Sequence, residues 1–205
     1  MFDDLDPALA LLSGRLLLRR PRLEDAPAVA RLANDRKIAE NTATIPHPYG
    51  LADAEAFVLK ARGERKGVPF AVFRQEDGVL VGAGGVSSRE REDAPEIGYW
   101  IGAPYRGNGY ATEVVRAMVD FVFEELVPER LAARCRVTNS DSRRVLEKCG
   151  FQWCGTGLEN SVGMRGSFPV DRFRLERTVW ASLRAWGRAR PVSLGEALPD
   201  HVPAK

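Results

Sequence analysis

Gly107 and Gly109, one residue apart and followed by a long run of apolar residues at helical spacing, form the segment of this sequence best suited to holding a ligand. The first turn of a helix presents unpaired backbone N–H groups and the positive end of the helix dipole, a setting that favours phosphate. Glycine lets the backbone come close to such an anion. The turn lacks the Lys-Ser/Thr ending of a P-loop and is too short for the dinucleotide-binding G-x-G-x-x-G pattern, so both of those chemistries are excluded at this position. Taken alone, an ordinary tight turn explains it equally well.

Other reactive groups are sparse. Cys135, Cys149 and Cys154 are too few and too irregularly spaced for a disulfide framework or a zinc site, and read as buried free thiols. The two histidines, His47 and His201, lie far apart with no Cys or His at ligand spacing, which predicts no metal and no His-based triad. The 30 basic and 28 acidic residues are mixed along the chain, giving a net charge of +2 and no basic face for nucleic acid. The start, Met1-Phe2-Asp3-Asp4, is acidic where a signal peptide is basic, and no apolar run approaches the roughly 18 residues of a membrane span. The expectation is a cytoplasmic protein without membrane or direct nucleic-acid partners.

The elements around the turn follow from periodicity. Residues 15–20 read as a strand leading through Pro21 to Glu24 into a helix with Ala26, Val29, Ala30 and Ala33 on one face. Asn41 to Gly50 is a loop, and Leu51, Ala54, Phe57 and Val58 mark a second helix. Phe70–Phe73 and Val79–Val86 flank Asp77-Gly78, a hairpin signal, and Glu96–Ile101 is a third antiparallel strand beyond the charged loop 88–93. Ala111, Val114, Val115, Met118, Val122 and Leu126 share a helical face that Pro128 ends. Leu131 to Val137 alternates as a strand, Asn139 or Ser140 caps a helix to Lys148, and Gly150 closes it. Phe151–Cys154 and Arg172–Leu175 read as two last short strands, with a helix from Thr178 to Trp186. We expect one α/β domain over residues 1–186 and a loosely ordered tail over 187–205, where Pro191, Pro199 and Pro203 fall.

Two motifs together carry a family resemblance. Arg106-Gly107-Asn108-Gly109-Tyr110-Ala111 resembles the Arg/Gln-x-x-Gly-x-Gly/Ala signature of the GNAT acetyltransferase superfamily, where it cradles the coenzyme A pyrophosphate. Asn139-Ser140-Asp141-Ser142 with Glu147-Lys148-Cys149-Gly150-Phe151, and Ile97-Gly98-Tyr99-Trp100-Ile101, resemble the branch of ribosomal-protein N-terminal acetyltransferases. The resemblance spans residues 14–176 as an ordered series. It implies a GNAT fold: a mixed α/β architecture with a mostly antiparallel, splayed sheet of six to seven strands flanked by helices. Acetyl-CoA is then the acyl donor, with its pantetheine arm between the strand at Glu96–Ile101 and the strand at Leu131–Val137.

The same resemblance implies site residues. Backbone groups of Tyr99, Trp100 and Ile101 hold the cofactor arm, and one of these N–H groups polarises the thioester carbonyl. Arg106, Gly107, Asn108, Gly109, Tyr110 and Ala111 hold the pyrophosphate, and Asn139 orients cofactor or backbone groups. Acyl transfer needs a neutral amine and a way to accommodate the departing thiolate. Glu96, at the strand start beside the gap, is the candidate base, with an exposed strand-end carboxylate as the plain alternative. Many family members place a proton-donating Tyr where this chain has Leu146. Ser142, one helical turn earlier, takes the thiolate-facing role. Tyr99, Trp100 and Tyr110 read as core aromatics outside the catalytic steps, and Cys149 as a small buried residue.

The expected partner is an amine, either the α-amine of a protein N-terminus or a small molecule, and a homodimer is left open. The acceptor pocket would draw on Lys37–Ala52 and the loop Thr156–Val170. Their acids Glu40, Asp53 and Glu159 are scattered, which disfavours polyamines and aminoglycosides. The competing reading is a non-catalytic acetyl-CoA-binding regulatory module that meets a partner through Val179, Trp180, Leu183 and Trp186.

Overall fold

The computed structural model describes residues 2, 5–6, 8–88, 94–163 and 166–187. Its centre is an eight-stranded sheet in the order β1-β2-β3-β4-β5-β6-β8-β7. The strands are β1 (Ala10–Leu12), β2 (Leu16–Arg19), β3 (Gly67–Arg74), β4 (Leu80–Ser87), β5 (Glu96–Ile101), β6 (Arg130–Arg136), β7 (Gln152–Ser161) and β8 (Gly166–Glu176). Every neighbouring pair is antiparallel except β5 with β6, which is parallel and joined at only two positions, Glu96 opposite Ala132 and Ile97 opposite Ala133. Beyond Ile97 the strands part, and the mixed, mostly antiparallel splayed architecture expected from the resemblance is present.

Helices cover both faces. On one lie α1 (Ala26–Ala33), α2 (Arg36–Asn41) and α3 (Leu51–Gly63). Val29, Ala54 and Val58 are buried there against Ala71 and Leu80, with Trp100 packed on the cluster. A bidentate pair from Arg19 to the buried Asp25, at 2.8 and 2.9 Å, ties β2 to the start of α1. On the other face α4 (Tyr110–Phe121) continues as a π-helical turn, Val122–Leu126. Its Val114, Val115 and Met118 are fully buried, each contributing about 1.5–3 kcal/mol by leaving water. Beside it α5 (Ser140–Lys148) buries Leu146, and α6 (Arg177–Gly187) follows β8. Trp180 of α6 stacks on Phe123 with centroids 5.1 Å apart and donates from Nε1 to Asp120 at 2.8 Å.

Several elements differ from the sequence expectation. Strand β1 and helix α2 were not expected, and the sheet has eight strands where six to seven were anticipated. The stretch 156–170 is not a loop, because β7 and β8 extend into it as a long hairpin paired from Gln152–Arg174 to Ser161–Gly166. Edge strand β7 exposes Trp153 and Leu158, and its alternation is interrupted by Gly155 and Gly157, so its period is weak. Cys135 and Cys149 are buried as expected, whereas Cys154 is exposed on that edge strand. Loop residues 89–93 and the tail 188–205 lie outside the described residues.

Candidate active site

The parting of β5 from β6 opens a cleft of about 830 Å³ that runs from the glycine turn to α2 and the β7–β8 hairpin. Because side chains alternate along a strand, β5 sends them to opposite sides of it. Ile97 and Ile101 enter the core beneath α4 and α5, with Tyr99 packed against it, whereas Trp100 packs toward α1 and α3. Strand β6 does the same. Leu131, Ala133 and Cys135 join the α4–α5 core, and Arg134 and Arg136 lie on the alternate face.

At the turn, Gly109 is the N-cap of α4 with φ +80, and Gly107 has φ +81; both are left-handed conformations that L side chains rarely adopt. A Cβ at Gly107 would meet nothing within 4 Å, so the backbone there borders open space. Gly107, Gly109, Tyr110 and Ala111 line the cleft, and the first N–H groups of α4 have no intrahelical acceptors. This open cradle fits a pyrophosphate. Asn108 does not line the cleft; its amide donates to the carbonyls of Tyr105 and Arg106 at 3.1 and 3.2 Å and so shapes the turn. Tyr110 is buried beneath Arg15, whose guanidinium sits 4.8 Å from the ring centroid and donates to the Asn108 carbonyl at 3.1 Å. Arg106 borders the cleft, but its guanidinium donates to the Ile101 carbonyl at 3.1 Å and to Asp35 at 2.6 Å, fastening the end of β5 to the start of α2. Arg144 and Lys148 of α5 add cations across the cleft that sequence reading had not singled out.

On the α5 side, Asn139 caps the helix by accepting from the Ser142 N–H at 3.1 Å, a contact of a kind that stabilises a helix by about 1 kcal/mol. With the cap supplied by Asn139, the Ser142 hydroxyl is available for another partner, and it meets the Tyr99 hydroxyl at 2.9 Å. Tyr99 also reaches the Ser142 carbonyl at 3.4 Å. Burial pushes the Tyr99 phenol well above its ordinary range, opposed in part by the Ser142 hydrogen bond, so it stays protonated. Its single hydrogen has two acceptors: the carbonyl or Ser142 Oγ. When it turns to Oγ, the Ser142 hydrogen is released to point elsewhere. Leu146 is fully buried and offers no donor. Burial pushes the Cys135 and Cys149 thiols up to about 11, so both remain neutral at pH 7 and neither is an activated nucleophile.

On the opposite side, Glu96 lies in the cleft with Oε2 3.5 Å from Arg134, and Arg134 also pairs with Glu159 of β7. The Glu96 side chain is only 12% exposed, so it is not the exposed strand-end carboxylate of the plain alternative. The chain brings Glu159, read as scattered from sequence, to the same cation as Glu96. Lys37, Asn41 to Ile45, Tyr49, Phe168 and Val170 complete this half, so residues of both the 37–52 and 156–170 segments line the cleft. They are joined across the top: Ser161 Oγ donates to the Thr42 carbonyl at 3.1 Å and the Val162 N–H to the Ala43 carbonyl at 2.9 Å. Gly163 permits that closeness, because a Cβ there would fall 2.8 Å from the Ile45 carbonyl oxygen.

Among the described residues no group of three metal-ligating side chains converges, and no helix is long and apolar enough to cross a membrane. Residues 15–152 match the acetyltransferase (GNAT) domain family. The uncharacterized N-acetyltransferase YnaD of Bacillus subtilis is 30% identical over 141 residues, covering 67% of this chain and 79% of its own. A GNAT-family acetyltransferase structure from Bacillus anthracis superposes with a TM-score of 0.73 at 25% identity, over 83% of this chain and 99% of that one. Mycobacterium smegmatis RimJ, solved with CoA-disulfide, shares the fold at a TM-score of 0.73 and 22% identity, over 89% and 95% of the two chains. With the splayed sheet, the glycine cradle at α4 and a family match across its centre, this chain belongs to the GNAT family of acetyl-CoA-dependent acetyltransferases.

Proposed function

We propose that the protein is an N-acetyltransferase acting on the α-amine of a small molecule or a protein N-terminus, with Glu96 as base and Ser142 as donor to the thiolate. The observation that carries this reading is the division of the cleft: a carboxylate on the α1–α2 side of β5 and a hydroxyl pair on the α4–α5 side, with the parted strands between. Acetyl-CoA supplies an activated thioester carbonyl. Gly107, Gly109 and the first amides of α4 hold its pyrophosphate, and the unpaired β6-facing side of β5 beyond Ile97 leaves backbone N–H groups free to bind the arm and polarise the carbonyl.

The amine attacks as its free base. An α-amine, with a pKa near 8, needs less help at neutral pH than a lysine near 10.4. As the C–N bond forms and the C–S bond breaks, Glu96 receives the amine proton directly or through one water. Ser142 donates a hydrogen bond to the departing sulfur while Tyr99 turns its own hydrogen onto Ser142 Oγ. Tyr99 thus acts by orienting Ser142, a role absent from the sequence reading, which treated its ring as core.

The regulatory-module reading loses part of its contact surface, since Val179 and Trp180 pack against the chain's own core. The ribosomal branch rests on the motifs at Ile97–Ile101, Asn139–Ser142 and Glu147–Phe151. Offering acetyl-CoA with a panel of free amines and N-terminal peptides, and measuring thiol release, tests the reading. Thiol release with acetylation at an α-amine is the expected result. Acetylation confined to internal lysines would remove the α-amine assignment.

A further inference from the structure

We propose that Arg136 is an anion anchor in the acceptor half of the cleft, and that the acceptor is therefore a small primary amine bearing a carboxylate, of the amino-acid class. This rests on the N-acetyltransferase reading and narrows it. Four arginines line the cleft, and three of them have carboxylate partners: Arg106 with Asp35, Arg134 with Glu96 and Glu159, and Arg144 with Asp141. Arg136 has none among the described residues. Its Nη1 donates to the Glu40 carbonyl at the end of α2 at 2.9 Å, and its buried Nε has no hydrogen-bond partner.

Arg136 is partly buried, and a partly desolvated cation without a counter-charge is costly, so chains that retain one generally give it a partner. Here the guanidinium is also held in place. The Glu40 carbonyl fixes one edge, and the Phe168 ring lies 5.1 Å from its centre. Such a preorganised planar fork with spare donors matches a carboxylate.

Its position suits a bifunctional ligand. Arg134 and Arg136 are on the same face of β6, two residues or about 6.6 Å apart along the strand. Arg136 therefore stands one step beyond the Arg134–Glu96 pair, where β6 has left β5. A ligand whose amine and carboxylate are a few bonds apart can present the amine to Glu96 and the carboxylate to Arg136. The bridge from Ser161 and Val162 to the 42–43 carbonyls walls this chamber.

The test compares L-amino acids with their carboxamides, which keep the amine and side chain but lose the negative charge. The readout is the acid-to-amide ratio of kcat/KM in thiol release from acetyl-CoA by the full chain. The unaltered protein should prefer the acid by about tenfold or more, mainly through KM, as expected for a charge-assisted contact of about 1.5–3 kcal/mol. Arg136→Met should bring the ratio close to one, and Arg136→Lys should hold it in between because a cation remains without the fork. The ratio is internal to each variant, so a general loss of stability does not mimic the effect. A ratio near one in the unaltered protein, or one that survives in Arg136→Met, overturns the inference and leaves the transferase reading standing. So does a preference for peptide α-amines that is unchanged in Arg136→Met. Absence of thiol release with every amine removes both.

Discussion

The two faces of β5 differ in how their polar groups are held. Toward α4 and α5, Tyr99 and Ser142 form a neutral pair 2.9 Å apart at the edge of a continuous apolar core. Toward α1 and α2, Glu96 belongs to a charged set with Arg134 and Glu159. An ordinary sheet would bury both faces apart from each other. In the mechanism we propose, splaying lets one strand's two-residue alternation serve both ends of a transfer reaction, with a neutral donor where sulfur leaves and a charged base where an amine arrives.

The sharpest way to break that comparison is to remove one side at a time. Glu96→Gln and Ser142→Ala should each lower kcat by roughly 10²-fold, the low end for a positioned proton-transfer group. The Glu96→Gln loss should shrink as pH rises and free amine becomes abundant, whereas the Ser142→Ala loss should persist across the pH–rate profile. If both variants recover alike at high pH, the two faces do not divide the work. Tyr99→Phe should reproduce only part of the Ser142→Ala defect, and the double variant should be no slower than Ser142→Ala, because Tyr99 acts through that hydroxyl. Additive losses would separate the pair.

A smaller effect is expected at the turn that serves both faces. Gly109→Val forces a β-branched residue to φ +80, with strain of about 1–2 kcal/mol before any blocked approach of phosphate is counted. Acetyl-CoA affinity measured by calorimetry should fall at least about tenfold. An unchanged affinity in a folded variant would exclude the cradle. The smallest effect concerns the thiols. At pH 8 an alkylating reagent should modify the exposed Cys154 and spare Cys135 and Cys149, whose burial holds them up to about 11. Their protection should fade as pH approaches that value, and mass spectrometry would locate the label.

The glycine turn, the α4 stripe and the Asn139 cap were legible because each is local: turn chemistry, helical period and capping act within a few residues. The Asp77-Gly78 hairpin was equally legible, and Gly78 does adopt φ +68. The site's second half was not. Glu96, Arg134 and Glu159 meet only because β7 folds back along β8, and the contact between Tyr99 and Ser142 spans 43 residues. Spacing carries no information about such pairings. The period of β7 was hidden for a different reason: an edge strand exposed along most of its length is under little pressure to alternate, and two glycines interrupt it.

The two-rung join between β5 and β6 has a consequence for assembly. Strands β3, β4 and β5 are sequential antiparallel neighbours joined by short connections, whereas β6 reaches β5 only after α4, across residues 102–129, and then holds it at two positions. The meander should therefore form early, with the β6–β8 unit docking onto it late. The seam between them should be the place where the native protein opens most easily, and those backbone amides of Gly98 to Ile101 that face β6 should exchange with solvent faster than those of β3. If acetyl-CoA lies along that seam, as we propose, it bonds to both units at once. Acetyl-CoA then fastens the last-formed joint, slowing exchange there more than elsewhere and raising the melting temperature in proportion to its occupancy.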